Sequence, residues 1–142
     1  MNTLIENKVL LIITGVSGSG KSTFADYLAA MHSGVAVVCT ADDYFSQDGD
    51  YNFDASKLGK AHDWCKERAF NAMDNKVNLV IIANTNTKPK EWRPYRDAAK
   101  RRGYKVVSIV MQNLEGTKNI HGVPDAVLDK QSFNIINNIK LK

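Results

Sequence analysis

The residues best suited to chemistry lie in a glycine-rich loop at positions 15–22. The loop reads Gly-Val-Ser-Gly-Ser-Gly-Lys-Ser and is followed by Thr23. It matches the phosphate-binding pattern G-x-x-x-x-G-K-[ST] at every fixed position. Glycines let the backbone turn its N–H groups toward an anion, and the N-terminus of the following helix adds partial positive charge. The spacing therefore predicts a nucleoside triphosphate site.

Each residue of this loop has a predicted role. Lys21 is expected to reach the β- and γ-phosphates, and the Ser22 hydroxyl is expected to bind Mg²⁺. We expect ATP and Mg²⁺ as cofactors, although the sequence identifies no residue that would distinguish ATP from GTP. The nucleotide contacts are expected from Gly15, Ser17, Gly18, Ser19, Gly20, Lys21, Ser22 and Thr23.

A second group of candidates follows the second apolar run, residues 35–39. Asp42 or Asp43 at the end of such a strand can accept the proton of a hydroxyl that attacks the γ-phosphate. Adjacent side chains diverge, so only one of the two carboxylates is expected to face the site. A turn or cap carboxylate is the alternative. Tyr44 and Phe45 are expected to pack beneath the loop, with stacking on a nucleobase as the alternative.

Further polar side chains follow the third apolar run, residues 77–83. Asn84, Thr85 and Asn86 offer amides and a hydroxyl that can hold a substrate hydroxyl or a magnesium-bound water. Loop capping is the alternative for these residues. His62 lies among the stripe residues of a predicted helix, where we expect a half-buried histidine, with a substrate contact as the alternative.

The apolar patterns predict the elements that position these candidates. Strands are predicted at residues 8–14, 35–39, 77–83 and 104–111, and helices from the glycine loop to 32, after Asp54 to 73, and at 89–102 and 124–138. The second helix has the apolar stripe Leu58, Ala61, Cys65, Ala69 and Ala72. Alternating strands and helices predict a three-layer α/β P-loop NTPase fold, with a mostly parallel sheet and helices on both faces. Ligands bind at the carboxyl ends of such strands, where all the polar clusters lie.

Length and composition predict one domain that covers residues 1–142. A chain of 142 residues with 44% hydrophobic residues can bury a core. There is no secretory signal and no apolar run of membrane-spanning length, which predicts a soluble cytoplasmic protein. Cys39 and Cys65 lie in apolar patterns and are expected to be reduced core residues. The sequence carries no signal for an oligomeric state.

The net charge of +4 is unevenly distributed along the chain. Eight lysines and arginines, Arg93 among them, lie within residues 88–105 and are opposed by only two acidic residues. Six aspartates lie within residues 42–63, opposed by two lysines. A basic segment can guide a nucleic acid backbone. A solvated helix face is the alternative interpretation.

Taken in order, these motifs are similar to those of a known family. They are the glycine loop, TADDYF at 40–45, GDYNF at 49–53, AHDW at 61–64, NTNT at 84–87, EW with PY within 91–95, and NIHGVP at 119–124. Over nearly its whole length the chain resembles the P-loop kinases that include phage-type polynucleotide 5′-hydroxyl kinases and the kinase-like domain of NEDD4-binding protein 2. The resemblance implies an ATP- and Mg²⁺-dependent kinase with a nucleic acid substrate, Asp42 as general base and a short C-terminal lid.

The residues and the resemblance together give the remaining expected roles. Catalysis would depend on Asp42 and Lys21, and substrate contacts would come from Asp43, Tyr44, His62, Asn84, Thr85, Asn86, Arg93 and Lys118. Phe45 stands where phage kinases often have a phosphate-binding arginine, Ala83 stands where many relatives have an acid, and Lys118 is the only cation of a short lid segment. Two alternatives therefore stay open: a kinase of a nucleoside or other small molecule, and a nucleotide-binding module with weakened catalysis. DNA and RNA are not distinguished.

Overall fold

The computed structural model describes residues 7–112, in which strands and helices alternate. The strands are Val9–Thr14 (β1), Ala36–Cys39 (β2), Leu79–Ala83 (β3) and Lys105–Val110 (β4), and the α-helices are Lys21–Met31 (α1), Leu58–Asp74 (α2) and Pro89–Arg101 (α3). Two short 3₁₀ helices, Ala41–Ser46 and Ala55–Lys57, lie between β2 and α2. The expected lid, Lys118 and the helix expected at 124–138 lie outside the described residues.

The strands of this part of the chain form a parallel sheet in the order β2-β3-β1-β4. In the central pair, Val9 of β1 lies opposite Leu79 of β3. Both central strands are apolar and largely buried, as parallel strands between two layers of helices require. The prediction of a mostly parallel α/β sheet is confirmed. Because all strands run in the same direction, the glycine loop and the segments after β2 and β3 all begin at the carboxyl ends of the strands, here called the carboxyl edge of the sheet.

Helices cover both faces of the sheet, as predicted. On one face α1 packs over a smaller core that contains Leu11, Ile13, Ala25, Ile81 and Ala83. On the other face α2 and α3 cover a larger core that includes Leu10, Ile12, Cys39, Ala61, Cys65, Val80, Ile82, Tyr95 and Ala98. Consecutive residues of β1 alternate between the two cores, as the pleat of a strand dictates.

Helix α2 contacts the larger core through small side chains. The predicted stripe is buried at Ala61, Cys65, Ala69 and Ala72. Leu58, which was expected to begin the stripe, is instead 40% exposed, because the chain only enters the α-helix at this residue. The preceding turn is the 3₁₀ helix Ala55–Lys57, which Asp54 caps by accepting a hydrogen bond from the Ser56 N–H at 3.0 Å.

Strand β3 begins later than the apolar pattern predicted. Lys76 has a φ of 59°, and the Val77 N–H donates to the carbonyl of Ala72 at 3.1 Å. The end of α2 therefore uses Val77 to close its last turn, and pairing with β1 starts at Leu79.

Tyr95 buries a hydroxyl in the larger core. The side chain is 2% exposed, and within residues 7–112 its Oη has no partner in good hydrogen-bonding geometry, although the Cys65 thiol and the Asn84 side chain lie beside it. A buried hydroxyl without a partner costs desolvation energy. We therefore expect Tyr95→Phe to leave the free energy of unfolding unchanged or to raise it by up to about 1 kcal/mol, measured by chemical denaturation.

Tyr104→Phe is the matched control, because the Tyr104 hydroxyl donates to the carbonyl of Val77 at 2.6 Å. Removing that hydrogen bond should lower the free energy of unfolding by about 1 kcal/mol. An equal loss in Tyr95→Phe would contradict the interpretation of Tyr95.

Candidate active site

The glycine loop connects β1 to α1 at the carboxyl edge of the sheet. Gly18 and Gly20 have φ values of 79° and 90°, in the left-handed region that side chains disfavour. Gly15 has no room for a side chain, because a Cβ atom there would lie 2.6 Å from Ser19 Oγ and 3.0 Å from the carbonyl oxygen of Met111. The constraints at Gly15 and Gly20 explain why the pattern requires glycine at these two positions, and Gly18 adds a third glycine at a variable position of the pattern.

The N-terminus of α1 suits an anion. Its first turn has no side-chain cap and no acidic residue, and the first N–H groups of any α-helix lack partners within the helix. Ser19 Oγ is buried and has no hydrogen-bond partner among the described residues. Ser22 and Thr23 are exposed at the same end. A phosphate group would satisfy these donors, so the residues fit the predicted nucleotide.

Lys21 is folded into the loop. It is 8% exposed, and its Nζ donates to the carbonyl oxygen of Val16 at 2.8 Å. Burial lowers the pKa of Lys21 to about 8, and the charge of Asp42 acts in the opposite direction. Asp42 therefore lies close enough to interact with the ammonium group that is predicted to hold the phosphates.

The lowered pKa of Lys21 predicts that nucleotide affinity depends on pH. The free protein loses this cation as the pH rises through about 8, whereas a bound phosphate would raise the pKa and keep the proton in place. Above this pH we expect the Kd for MgATP to rise by up to about tenfold per pH unit, with proton uptake on binding. Isothermal titration calorimetry at about pH 7 and about pH 9, in buffers of different ionisation enthalpy, measures both effects.

Lys21→Arg is the control for this titration, because arginine stays charged over the whole range. The same lysine has the opposite effect on folding: its pKa falls from 10.5 to about 8 in the native state. Between these values the unfolded chain binds more protons, so this group makes stability rise with pH. If the Kd of the wild type for MgATP were as insensitive to pH as that of Lys21→Arg, Lys21 would not be the group that titrates on nucleotide binding.

Asp42 and Asp43 lie in the first turn of the 3₁₀ helix Ala41–Ser46, which the sequence patterns did not predict. Thr40 caps this helix, because its Oγ1 accepts from the Asp42 N–H at 3.2 Å. The signal was present, since threonine before two aspartates is typical of a helix start. The carboxylates have different charged neighbours: the charge of Asp42 opposes the burial that lowers the pKa of Lys21 in the glycine loop, whereas Asp43 Oδ2 lies 3.8 Å from an Arg68 nitrogen on α2.

Arg68 is a residue that the motifs did not single out. Its guanidinium lies over the Trp64 ring, 4.9 Å from the centroid, as well as beside Asp43. Burial raises the pKa of Asp43, Arg68 opposes this change, and Asp26 and Asp42 add to it. Because the partner of Asp43 comes from α2, the geometry favours Asp42 as the carboxylate for the glycine loop.

Asn84 joins the end of β3 to the helix that carries Asp42. It is 8% exposed, its Oδ1 accepts from the Ala41 N–H at 2.8 Å, and its Nδ2 donates to Cys65 Sγ at 3.6 Å. Both ends of the amide thus have internal partners. This arrangement favours the capping alternative for Asn84 over a direct substrate contact.

Asn86 and Thr85 join the same run to the glycine loop. Asn86 is 3% exposed, has a φ of 50°, and donates from Nδ2 to the Ile13 carbonyl at 3.2 Å. The Thr85 carbonyl accepts from the Gly15 N–H at 3.3 Å. Asn86 is therefore also used internally, and the half-buried Thr85 is the least enclosed of the three.

The other residues predicted to contact substrate lie around this edge or outside the described range. Tyr44 is half-buried and packs edge-on against Trp64, with ring centroids 5.9 Å apart, which agrees with the packing that was expected for it. His62 is half-buried on α2, and Arg93 is exposed near the start of α3. Lys118 is outside residues 7–112, so its predicted contact stays a prediction.

The basic segment 88–105 is distributed along α3 and beyond it. The helix leads away from the carboxyl edge. Because it has 13 residues, its last residue lies about 18 Å from its first along the axis. Arg102, just past that end, pairs with Asp74 at 2.7 Å, and its carbonyl accepts from Lys8 Nζ at 3.3 Å. Only the first turns of α3, with Arg93, lie at the edge where the candidate site is. The hypothesis that this segment follows a nucleic acid backbone therefore applies only to the first turns of α3 and not to the whole segment.

The two cysteines are free and buried, as predicted. Burial raises the pKa of Cys39 to about 12 and also raises the pKa of Cys65, so neither is a ready nucleophile. In the described part of the chain no group of three or more His, Cys, Asp or Glu side chains could hold a metal ion. The Ser22 hydroxyl is the group that would hold Mg²⁺ together with phosphate oxygens. None of the described helices is long and apolar enough to cross a membrane.

Comparison with known proteins assigns the chain to a family. A family model described as "AAA domain" matches residues 10–117. The chain belongs to this AAA domain family. The AAA domain is similar to human NEDD4-binding protein 2, with 39% identity over 99 residues. That match covers 70% of this chain and 6% of the relative, so the AAA domain spans a small part of the relative's length.

Solved structures share the fold of the AAA domain. A chain of the "Pnkp1/Rnl/Hen1 RNA repair complex" matches with a TM-score of 0.63 and 20% identity, over 93% of this chain and 45% of that chain. The Mycobacterium tuberculosis APS kinase CysC, in complex with AMPPNP and APS, matches with a TM-score of 0.58 and 16% identity, over 85% and 75% of the two chains. The predicted P-loop kinase-like fold is confirmed. Such a fold supports a kinase and implies that the AAA domain uses a nucleotide.

Proposed function

We propose that this AAA domain is a kinase that transfers the γ-phosphate of ATP, with Mg²⁺, to the 5′-hydroxyl of a polynucleotide. The observation that carries the proposal is that residues 84–85 connect the 3₁₀ helix with Asp42 to the glycine loop with Lys21: Asn84 Oδ1 accepts from the Ala41 N–H at 2.8 Å, and the Thr85 carbonyl accepts from the Gly15 N–H at 3.3 Å. The charge of Asp42 opposes the burial that lowers the pKa of Lys21, in agreement with this arrangement. A carboxylate beside the phosphate-binding lysine can accept the proton of an attacking hydroxyl, while the lysine neutralises phosphate charge.

The residues of the site would divide the work in a simple way. The N–H groups at the start of α1 and Lys21 would hold the phosphates, and Ser22 would hold Mg²⁺, which offsets the charge on the phosphate oxygens. Asp42 would take the hydroxyl proton as the acceptor oxygen forms its bond to the γ-phosphorus and ADP departs. Asn84 would act as a positioning residue, because its amide holds the N–H of the residue before Asp42.

A polynucleotide acceptor is supported by two different observations. One solved structure that shares the fold is a chain of an RNA repair complex. Arg93 is exposed at the start of α3, where it would provide positive charge for a backbone phosphate.

A second candidate is a kinase of a nucleoside or another small hydroxyl compound. Asp48, Asp50 and Asp54 are exposed in the segment after the 3₁₀ helix that carries Asp42. Exposed carboxylates repel a polyanion, whereas an uncharged small molecule would not meet this cost.

The experiment that tests the proposal is the transfer of labelled γ-phosphate from ATP to 5′-hydroxyl DNA and RNA oligonucleotides and, in parallel, to nucleosides. Lys21→Ala is the control that should lose transfer through loss of the phosphate-binding ammonium. Transfer to oligonucleotides that declines steeply with salt would support phosphate contacts. Transfer to nucleosides alone would favour the second candidate, and no transfer to any acceptor would overturn the proposal.

A further inference from the structure

Five aromatic side chains gather beside the 3₁₀ helix that carries Asp42. The Phe45 ring lies at the centre, with centroid distances of 5.4 Å to Tyr44, 6.3 Å to Tyr51 and 5.1 Å to Phe53, and Tyr44 in turn contacts Trp64. Phe45 is 5% exposed, whereas Tyr51 is 44% and Phe53 is 53% exposed. The cluster thus has an inner ring in the core and two outer rings at the surface.

The outer rings lie on the side of the helix where Asp42 is. In a 3₁₀ helix the side chains of residues three apart eclipse one another, so Asp42 and Phe45 share a side. The Asn52 N–H donates to the Phe45 carbonyl at 2.8 Å, which holds the segment with the outer rings against the helix. Burial first and the charge of Asp42 second raise the pKa of Tyr51, in agreement with this position.

We propose that Tyr51 and Phe53 form a stacking surface for the terminal nucleobase of the acceptor, beside the 5′-hydroxyl at Asp42. This inference rests on the proposed function and names what lies next to the reacting hydroxyl. Aromatic rings with exposed faces are the usual platforms for bases of single strands. The exposed aspartates of the same segment exclude phosphates from this surface but not an uncharged base.

The test combines a change in the protein with a change in the acceptor. Two oligonucleotides are compared that differ only in whether the 5′-terminal nucleotide carries its base or is abasic. We expect wild-type protein to have a kcat/KM about tenfold higher for the acceptor with the base. Tyr51→Leu combined with Phe53→Leu should lower kcat/KM for that acceptor to the abasic level and leave the abasic acceptor unaffected.

Tyr27→Leu is the matched control, because Tyr27 is 60% exposed on α1 and belongs to neither core cluster nor any ring pair among the described residues. It should keep the full discrimination. Both changed positions of the double variant are exposed, so thermal unfolding should show a folded protein. The substitutions should change kcat/KM for the acceptor and leave the KM for ATP unchanged.

Each outcome decides the inference. Transfer without discrimination in the wild type, or discrimination that persists in the double variant, would overturn the stacking surface and leave the proposed function in place. If no polynucleotide is phosphorylated, the proposed function fails, and equilibrium dialysis of adenosine with Mg²⁺ and AMPPNP decides the inference alone. Binding that the double variant loses would support the surface, and no binding in the wild type would overturn it.

Discussion

Asp42→Asn is expected to lower kcat for phosphoryl transfer by about 10²- to 10⁴-fold, the usual contribution of a positioned general base. The substitution keeps the size of the side chain and its place in the 3₁₀ helix but removes the group that would accept the proton. It also removes a negative charge beside Lys21. The Kd for MgATP, measured by calorimetry at neutral pH, should therefore be unchanged or lower.

Asp43→Asn is the matched control for this prediction. Asp43 is the neighbouring residue of the same helix, but its partner is Arg68 on α2. That ion pair is partly exposed, and pairs of this kind contribute little, so the change in kcat should be less than about fivefold. Equal losses in the two variants would show that the helix as a whole matters and would contradict a specific role for Asp42. A larger loss in Asp43→Asn would transfer the role of base to Asp43.

The glycine loop could be predicted residue by residue because its requirements are local. Gly18 and Gly20 need positive φ values, Gly15 needs the space between Ser19 and Met111, and Lys21 follows directly. The positive φ values and the lysine depend only on the loop and on the strand and helix on either side, and the space at Gly15 is the one condition that also involves a distant residue, Met111 after β4. A linear pattern therefore contains nearly all the information.

The divergence of Asp42 and Asp43 could be predicted only in part. Adjacent residues of any extended or helical segment point in different directions, so one carboxylate was expected to face the site. Which one does so depends on the 3₁₀ helix and on Arg68, which approaches from a separate helix. A contact between two distant elements produces no local or periodic pattern in the sequence from which it could be predicted.

The hydrogen-bond partners of Asn84 and Asn86 could not be predicted either, because they also come from distant segments of the chain. A polar run after a buried strand is typical both of substrate-binding loops and of capped turns. The deciding facts are the hydrogen bonds to the Ala41 N–H and to the Ile13 carbonyl, which connect segments far apart in the chain. For the basic segment the sequence shows the charge, but it does not show that the segment leads away from the site.

Asn84→Ala is expected to lower kcat by about 10²-fold while changing the KM for ATP little, because a shift of about 1 Å at a catalytic group has this effect. Without Oδ1 the Ala41 N–H loses its partner in a buried position. The start of the 3₁₀ helix, and with it the Asp42 carboxylate, is then free to move, while the glycine loop keeps its own contacts. The free energy of unfolding should also fall, by about 1–3 kcal/mol.

Cys65→Ala separates the positioning effect from the loss of stability. Cys65 is the other partner of Asn84, accepting from Nδ2 at 3.6 Å, and it is buried in the larger core. Its removal should lower the free energy of unfolding to a similar extent, by about 1–2 kcal/mol, but it leaves the hydrogen bond to the Ala41 N–H in place. We therefore expect Cys65→Ala to retain most of kcat at a temperature where both variants are folded. If kcat falls equally in both variants, the loss in Asn84→Ala reflects weakened packing, and Asn84 does not position Asp42.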